Sequence, residues 1–425
     1  MTAANISKLQ KYQKLARFAV LSFLIMWVIT LGNLFFFMFL SPNPPFSYHN
    51  LNNRLGMADF VRIYVSAKLA ASDDRTHIYD YAPQLKIVKS VLKTNEEPEA
   101  ADSNYTPHMC VMMTPISLLP LVNAFWVWLG SSCLCGFLSM YWILKRERHF
   151  NNWTTAITML AVFGSINSMN VLLTGQTTWF LLTMFTAFYW AMIHQKEVAA
   201  GIALAFTTIK PQYSLYFVVG IIAKRRWTAL LTFAAAVSIM LGYAAYQLGW
   251  ENVLNYPKLM SAKEISPEFY PAKMCCMRGL LTMFLPIDTA LKASGVIQIL
   301  SLPFVFKLWM SGKDNIEKRK WTLSITMLLS LVLGTHVNAY DCLLVALPAM
   351  LTMPDISPFV IWKIPCKPLK VWSLLMLSYP IAGWALGSNN YVFLPLNIAL
   401  VISGLMYMAS PEMNVQAPEP SSAAP

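Results

Sequence analysis

Charge is scarce in this sequence. Of its 425 residues 12% are charged and 56% are hydrophobic, and a soluble globular domain carries about twice that charged share. The usual catalytic strings are missing too. There is no Walker-type loop, no Gly-x-Ser-x-Gly, no His-Glu-x-x-His and no set of Rossmann glycines, so a soluble nucleotide-dependent enzyme has no support. The net charge of +12 comes without a basic domain or a nucleic-acid motif, which sets nucleic-acid binding aside. Four of the seven cysteines (Cys110, Cys133, Cys135 and Cys342) lie inside apolar blocks, where cysteine behaves as a small apolar residue. Cys275 and Cys276 are adjacent and lack metal-ligand spacing. No internal repeat is evident, which counts mildly against transporters built from inverted repeats.

What is present is a series of long apolar blocks. Residues 16–40 contain Arg17 as their one charge, enough chain to cross roughly 30 Å of hydrocarbon as a helix. No small-residue cleavage site follows, so the block reads as an uncleaved first span. Further candidates are 106–144, 153–173, 177–193, 198–209, 213–223, 227–248, 289–310, 321–334, 339–353, 371–386 and 391–409. The expectation is an all-α polytopic membrane protein with about 10 to 12 transmembrane helices. Segment 106–144 is too long for one straight helix and contains Pro115 and Pro120. Segment 198–223 is two short pieces joined at Lys210-Pro211. Broken helices at membrane depth are tolerated only where they face protein or a water-filled cavity, so these interruptions point to a site.

Basic clusters orient the chain. Lys8, Lys11, Lys14 and Arg17 precede the first span. Lys145-Arg146-Glu147-Arg148, Lys224-Arg225-Arg226, Lys313 with Lys318-Arg319-Lys320, and Lys363/Lys367/Lys370 mark later loops. All fall on one side if the crossings alternate, which places both termini in the cytoplasm and the protein in the cell membrane. Residues 1–410 form a single multi-pass domain on this reading, and 411–425, rich in Pro, Ala and Ser, is a disordered cytoplasmic tail. Two long loops remain outside, 41–105 and 249–288. In the first, Asp59, Arg62 and Ser66 share one helical face. A second helical pattern opens after Asp80 and carries a stripe of Lys86, Lys89 and Lys93. The stripe fits an amphipathic helix in the membrane interface or a solvated helix face equally well.

Polar residues gather at the outer ends of the apolar blocks. Asp59 follows the first span; Tyr105 and His108 open the second block; Gln176 sits in an outer loop; Lys210 stands at the break; Arg278 ends the second outer loop; His336, Asn338, Tyr340 and Asp341 lie together at an outer helix end. Ionisable groups at membrane depth are costly and usually functional. Two plainer roles stay open: Asp341 as a capped structural carboxylate, and Lys210 as a snorkelling side chain.

Here the sequence resembles a known family. Asp59-Phe60 with Tyr64 and Ala67, then Ile78-Tyr79-Asp80, resembles the opening of the first outer loop in glycosyltransferase family 87. Those enzymes are polyprenyl-phosphate-mannose-dependent α-1,2-mannosyltransferases of the GT-C superfamily. Tyr105-Thr106-Pro107 with Thr114-Pro115 and Leu119-Pro120, Gly175-Gln176, Ala200 to Ala205, Ile209-Lys210-Pro211-Gln212 and Arg225-Arg226-Trp227 are similar to later family segments in order and spacing. The resemblance implies a GT-C-like membrane fold with an outer loop of interfacial helices. It also implies inverting transfer of a sugar, mannose or the pentose that some relatives use, from a polyprenyl-phosphate donor to a glycan or lipid acceptor on the outer face.

In that scheme Asp59 is the general base and Lys210, Arg278 and His336 meet the donor phosphate. Arg62, Tyr105, His108, Gln176, Tyr340 and Asp341 contact substrate. No cofactor is implied; a divalent metal is possible but not indicated. Donor, acceptor and membrane lipids are the expected partners. A membrane transporter or lipid flippase is the alternative from another class.

Overall fold

The structure is a computed structural model that describes residues 58–92, 105–263, 274–311 and 315–353, most of 364–413, and four positions between 25 and 32. The first apolar block apart from those four positions, Lys93, Lys313, Lys363 and nearly all of the tail lie outside the described residues, as do the loop portions 41–57, 93–104 and 264–273.

The described residues are helical, with no strand among them. In chain order they form α1 (Ala58–Ala70), α2 (Tyr81–Leu92), α3 (Pro107–Met112), α4 (Thr114–Ser117) and α5 (Leu121–Trp142), which ends in a π turn, Ile143–Glu147. Then come α6 (Asn152–Phe163), α7 (Ile166–Thr174), α8 (Thr178–Ile193), α9 (Glu197–Phe206), α10 (Pro211–Ala223) and α11 (Trp227–Leu248). The chain continues through α12 (Trp250–Lys263), α13 (Met277–Leu281), α14 (Ile287–Met310) and α15 (Ile316–Leu333). After a 3-10 turn, Ala339–Val345, it closes with α16 (Ala346–Thr352), α17 (Lys367–Leu386) and α18 (Asn390–Met408).

Local chemistry sets many of these boundaries. Asn151 caps α6 by accepting from the Thr154 amide at 2.8 Å, and Asn315 caps α15 by accepting from the Lys318 amide at 2.8 Å, each satisfying a helix-end donor that has no intrahelical partner. Pro120 and Pro286 immediately precede α5 and α14, and Pro211 is the first residue of α10, where a missing amide hydrogen costs nothing.

Among the described residues, three uninterrupted helices are long and apolar enough to cross a membrane: α5 with its π turn, α11 and α14. The block 153–173 is instead a bent pair, α6 and α7, turned by 56°. Its break at Gly164-Ser165 has no proline; Ser165 caps α7 through its hydroxyl, which accepts from the Ser168 amide. α8, α10 and the segments around Lys210 and Asp341 are apolar but shorter. Leu231, Ile239 and Tyr246 on α11, and Ile299 and Leu300 on α14, are exposed, so these two long helices carry apolar rims. α15 is the centre: it is buried almost without interruption from Lys320 to Val332 and packs against α10, α16 and α18. Close approach of α9 to α11 depends on Gly201, where an added Cβ would lie 2.5 Å from the Ala229 carbonyl oxygen, the small-residue contact that lets two helix backbones meet.

α1 departs from the expected interfacial helix. Phe60, Val61, Ile63, Val65 and Leu69 are all buried, and the helix packs against α2, α3, α4 and α5. Asp59 and Arg62 stay partly open on one edge, and Lys68 is exposed near the helix end.

Three basic clusters converge at one end of the bundle. Glu147, at the end of α5, meets His194 past the end of α8 at 3.0 Å. Arg319 at the start of α15 donates to the Ile193 carbonyl. Arg226, before α11, pairs with Glu197 at the start of α9 at 2.9 Å. Gln176, Lys210 and His336 lie at the other ends of α8, α9 and α15.

Candidate functional site

Lys210 sits at the junction the sequence marks. Proline at 211 disfavours helical backbone in the residue before it, and Lys210 takes φ −130°, ψ 82° between a 3-10 turn and α10. The side chain is thereby turned into the bundle. Its Nζ donates to Asp341 Oδ1 at 2.6 Å and lies 4.7 Å from the centre of the Tyr340 ring. The Lys210 side chain is 13% exposed and that of Asp341 is fully buried.

Asp341 is held from two further directions. Its Oδ2 accepts from the Asn338 amide at 3.1 Å, capping the 3-10 turn, and Oδ1 accepts a longer bond from Thr178 at 3.4 Å. The capped-carboxylate role for Asp341 is therefore the one the structure displays, with Lys210 as its ion-pair partner. Lys210 does not snorkel to a surface. A buried ion pair of this kind is sustained only when its remaining hydrogen-bonding positions are filled, and here Asn338 and Thr178 contribute to filling those of Asp341.

The loop before the turn brings His336 in. Its carbonyl accepts from Gln212 Nε2 at 3.0 Å and from the Tyr213 hydroxyl at 3.4 Å, so the residues just after Lys210-Pro211 fix its backbone. Asn338 Nδ2 bridges to His336 Nε2 at 3.1 Å and to the Tyr340 hydroxyl at 2.7 Å. Burial is the main influence on the His336 imidazole and pulls it down to about 4; Lys210 and Arg278 push the same way and Asp341 opposes them. At neutral pH the ring is uncharged and works through hydrogen bonds, not as a cation. Arg278, on α13, is buried and lies within electrostatic reach of that ring, with Nε 3.5 Å from the Ser294 hydroxyl. A backbone bond from the Cys275 amide to the Val337 carbonyl ties its segment to the His336 loop.

Asp59 approaches from α1. Its Oδ1 stands 3.9 Å from Arg62 Nη1, with the two side chains 19% and 31% exposed. Ser66 is buried and donates to the Arg62 carbonyl at 2.6 Å. The Tyr105 hydroxyl donates to the Asp59 carbonyl at 3.1 Å. Burial, then the Asp59 carboxylate, holds the Tyr105 hydroxyl well above its usual range, with Arg62 opposing and Asp341 adding to it. Both carboxylates thus bear on one phenol.

The link between α1 and the rest is Gly175. It ends α7 with φ +71° and ψ +30°, a left-handed conformation that glycine adopts without strain. An added Cβ would lie 2.6 Å from the Phe60 Cβ. Its carbonyl accepts from Trp128 Nε1 at 2.9 Å. The Gly175-Gln176 turn is thus seated against the residue that follows Asp59.

Of the residues expected at the site, Lys210, Arg278, His336, Tyr340 and Asp341 come together, and Asp59, Arg62 and Tyr105 adjoin them electrostatically. Gln176 is buried beside Gly175, its Oε1 reaching the Thr177 amide at 3.4 Å. His108 is buried between the Thr106 and Thr208 hydroxyls, at 3.4 and 3.3 Å, and its Nδ1 has no partner. Thr178 and Tyr213 were not singled out in the sequence, and Asn338 and Gln212 were named there without a role. Gln212 and Tyr213 were discoverable as the first turn after the Lys-Pro break; nothing local marks Thr178. Among the described residues no three His, Cys, Asp or Glu side chains are grouped to hold a metal ion.

A family model for glycosyltransferase family 87 matches residues 104–335, more than half of the chain. The chain belongs to glycosyltransferase family 87. The matched stretch of this family 87 protein runs from the threshold of α3 through α15 and contains Tyr105, His108, Gln176, Lys210 and Arg278. Asp59 and Arg62 precede it, and His336, Tyr340 and Asp341 follow it directly. No curated protein and no solved structure matches the chain.

Proposed function

We infer that this family 87 glycosyltransferase is a multi-pass membrane enzyme that moves a hexose, mannose in the first instance, from a polyprenyl-phosphate donor to a glycan or lipid acceptor. The observation that carries the reading is the meeting, at one end of the bundle, of two buried or nearly buried cations, Lys210 and Arg278, with the half-open edge of α1 that bears Asp59. A sugar phosphate needs both kinds of group. Cations stabilise the charge that develops on the leaving phosphate, and a carboxylate accepts the acceptor's proton.

In the reaction, an acceptor hydroxyl loses its proton to Asp59 as its oxygen attacks the anomeric carbon. The bond from that carbon to the phosphate oxygen breaks, and its electron pair leaves with the polyprenyl phosphate. Attack from the face opposite the leaving group inverts the anomeric centre. Asp341 fixes the Lys210 ammonium in position; Arg278 approaches the same leaving group; neutral His336, held by Asn338 and Gln212, donates a hydrogen bond to phosphate or sugar. Arg62, Tyr105, His108, Gln176 and Tyr340 shape the sugar and acceptor subsites around them. No step calls for a metal, since a single phosphate leaves and two cations face it.

Membrane placement is supported by the apolar rims of α11 and α14 and by the separation of the ends. Three basic clusters share the end away from the site, which by the bias of lysine and arginine is cytoplasmic and puts the site on the outer face. Family membership favours transfer over the transporter reading. Incubation of purified, detergent-solubilised protein with radiolabelled lipid-phosphate mannose and mixed glycolipid acceptors tests this. Label is expected to move from the lipid phosphate to acceptor; transfer from a nucleotide sugar instead would overturn the donor assignment.

A further inference from the structure

At the bundle end opposite the candidate site, an open-sided pocket is lined by Lys224, Arg226, Lys318 and Arg319, with Met192 and Trp309 as its apolar wall. Lys224 and Arg226 flank the turn between α10 and α11, Lys318 and Arg319 open α15, and Trp309 lies near the end of α14. Four cations from two segments face one space. Arg226 is paired with Glu197 at 2.9 Å, and Glu317 is paired with Lys320. One side of Arg319 is turned to the Ile193 carbonyl at 3.3 Å, and Trp309 is fixed by donating to Thr326 at 2.9 Å.

We propose that this pocket binds the phosphate headgroup of an anionic phospholipid. Two observations favour a lipid over a free anion. The rim around the cations is apolar and exposed, with Ile222, Trp227, Met310 and Ile316 all open, a surface suited to acyl chains and of no use to inorganic phosphate. The depth also fits. α15 runs from this pocket to the His336 loop through 18 residues, or about 27 Å of helix, close to the roughly 30 Å of a bilayer's hydrocarbon. Basic pockets between helices on the cytoplasmic side are the known chemistry for such headgroups. The inference rests on the membrane reading given above. The role that follows is anchoring: a lipid phosphate between α10, α11, α14 and α15 clamps the far ends of helices whose near ends hold Lys210 and His336.

Native mass spectrometry of the purified full chain in detergent, titrated with phosphatidylglycerol, with phosphatidylcholine or with inorganic phosphate, tests the proposal. Phosphatidylglycerol should be retained in preference to the other two. Lys224→Gln/Lys318→Gln should weaken that retention about twenty-five-fold, at about five-fold per cation removed, while sugar transfer in saturating detergent is unchanged. Equal retention of the two lipids, undiminished retention in the double variant, or phosphate binding as tight as the lipid would overturn it. Should the double variant fail to fold, raising salt on the wild-type protein replaces it: retention should fall, and salt-independent retention would overturn the site. Release of the chain from membranes by alkaline carbonate would instead contradict the membrane reading and this inference with it.

Discussion

Replacing Lys210 with methionine keeps most of the side chain's length and removes the ammonium that stands 2.6 Å from Asp341 Oδ1. At that distance and an effective dielectric of about 20, Coulomb attraction is about 6 kcal/mol. Desolvating both ions takes back several kcal/mol, so the intact pair contributes little net. Breaking it is different. Asp341 is fully buried, and Lys210→Met leaves its carboxylate with the Asn338 amide at 3.1 Å and the long Thr178 contact at 3.4 Å. Stranding a buried charge in this way costs about 3–5 kcal/mol. Lys210→Met/Asp341→Asn removes both charges, keeps an acceptor for the Asn338 amide, and should recover at least about 2 kcal/mol of the loss. Equilibrium unfolding in mixed detergent micelles measures all four members of the cycle. Sugar transfer measured alongside separates the roles, since the double variant should regain stability and not activity. A Lys210→Met loss below about 1 kcal/mol, or a coupling below about 0.5 kcal/mol, would refute the pairing as a structural element.

Three further outcomes are expected. Gly175→Ala should cost about 1–2 kcal/mol from the left-handed backbone alone, with more from the 2.6 Å approach to Phe60, and should lower kcat by displacing α1; an alanine variant with wild-type melting and turnover would contradict that contact. Because burial holds His336 near 4 against an ordinary 6.5, its neutral form contributes stability that is full above about 6.5 and is lost as pH falls toward 4, by an amount of order 1 kcal/mol or more. Unfolding midpoints across that window should drop less in His336→Asn than in wild type, and parallel curves would remove His336 from the account. Asp73, exposed just after α1, should as Asp73→Cys react with an impermeant thiol reagent on intact cells; labelling only after permeabilisation would reverse the proposed sidedness.

Much of the helix pattern was legible because its punctuation is local. Pro120, Pro211 and the basic turn at 224–226 mark boundaries that the structure places within a few residues of where the apolar blocks change. The Lys210-Pro211 break was legible for the same reason, and so was its value as a pointer to a site. The bend at Gly164-Ser165 was not, since a serine cap inside an apolar run leaves no interruption in hydropathy. The burial of α1 was also hidden: its helical pattern carries polar residues that look solvent-facing, while Ser66 is satisfied within its own helix. Lys210 and Asp341 were each singled out, yet their pairing across 131 positions has no local signature. Arg278 beside Ser294 is a case of the same kind. The family match spans Lys210 and Arg278 and stops short of Asp59 and Asp341 on either side, and the roles of all four rest on their surroundings. Of the two carboxylates, Asp341 is buried and ion-paired; Asp59 is partly open at the edge of its helix.

That contrast makes the turnover of Asp59→Asn, in the lipid-phosphate sugar assay, the most direct test of the mechanism. Asparagine preserves the shape and the Tyr105 bond to the main-chain carbonyl and removes the proton acceptor. With donor binding and unfolding midpoint unchanged, transfer should fall about a hundred- to ten-thousand-fold. Retention of more than about a tenth of the wild-type rate would contradict Asp59 as the base and turn attention to Asp341 or Asp80.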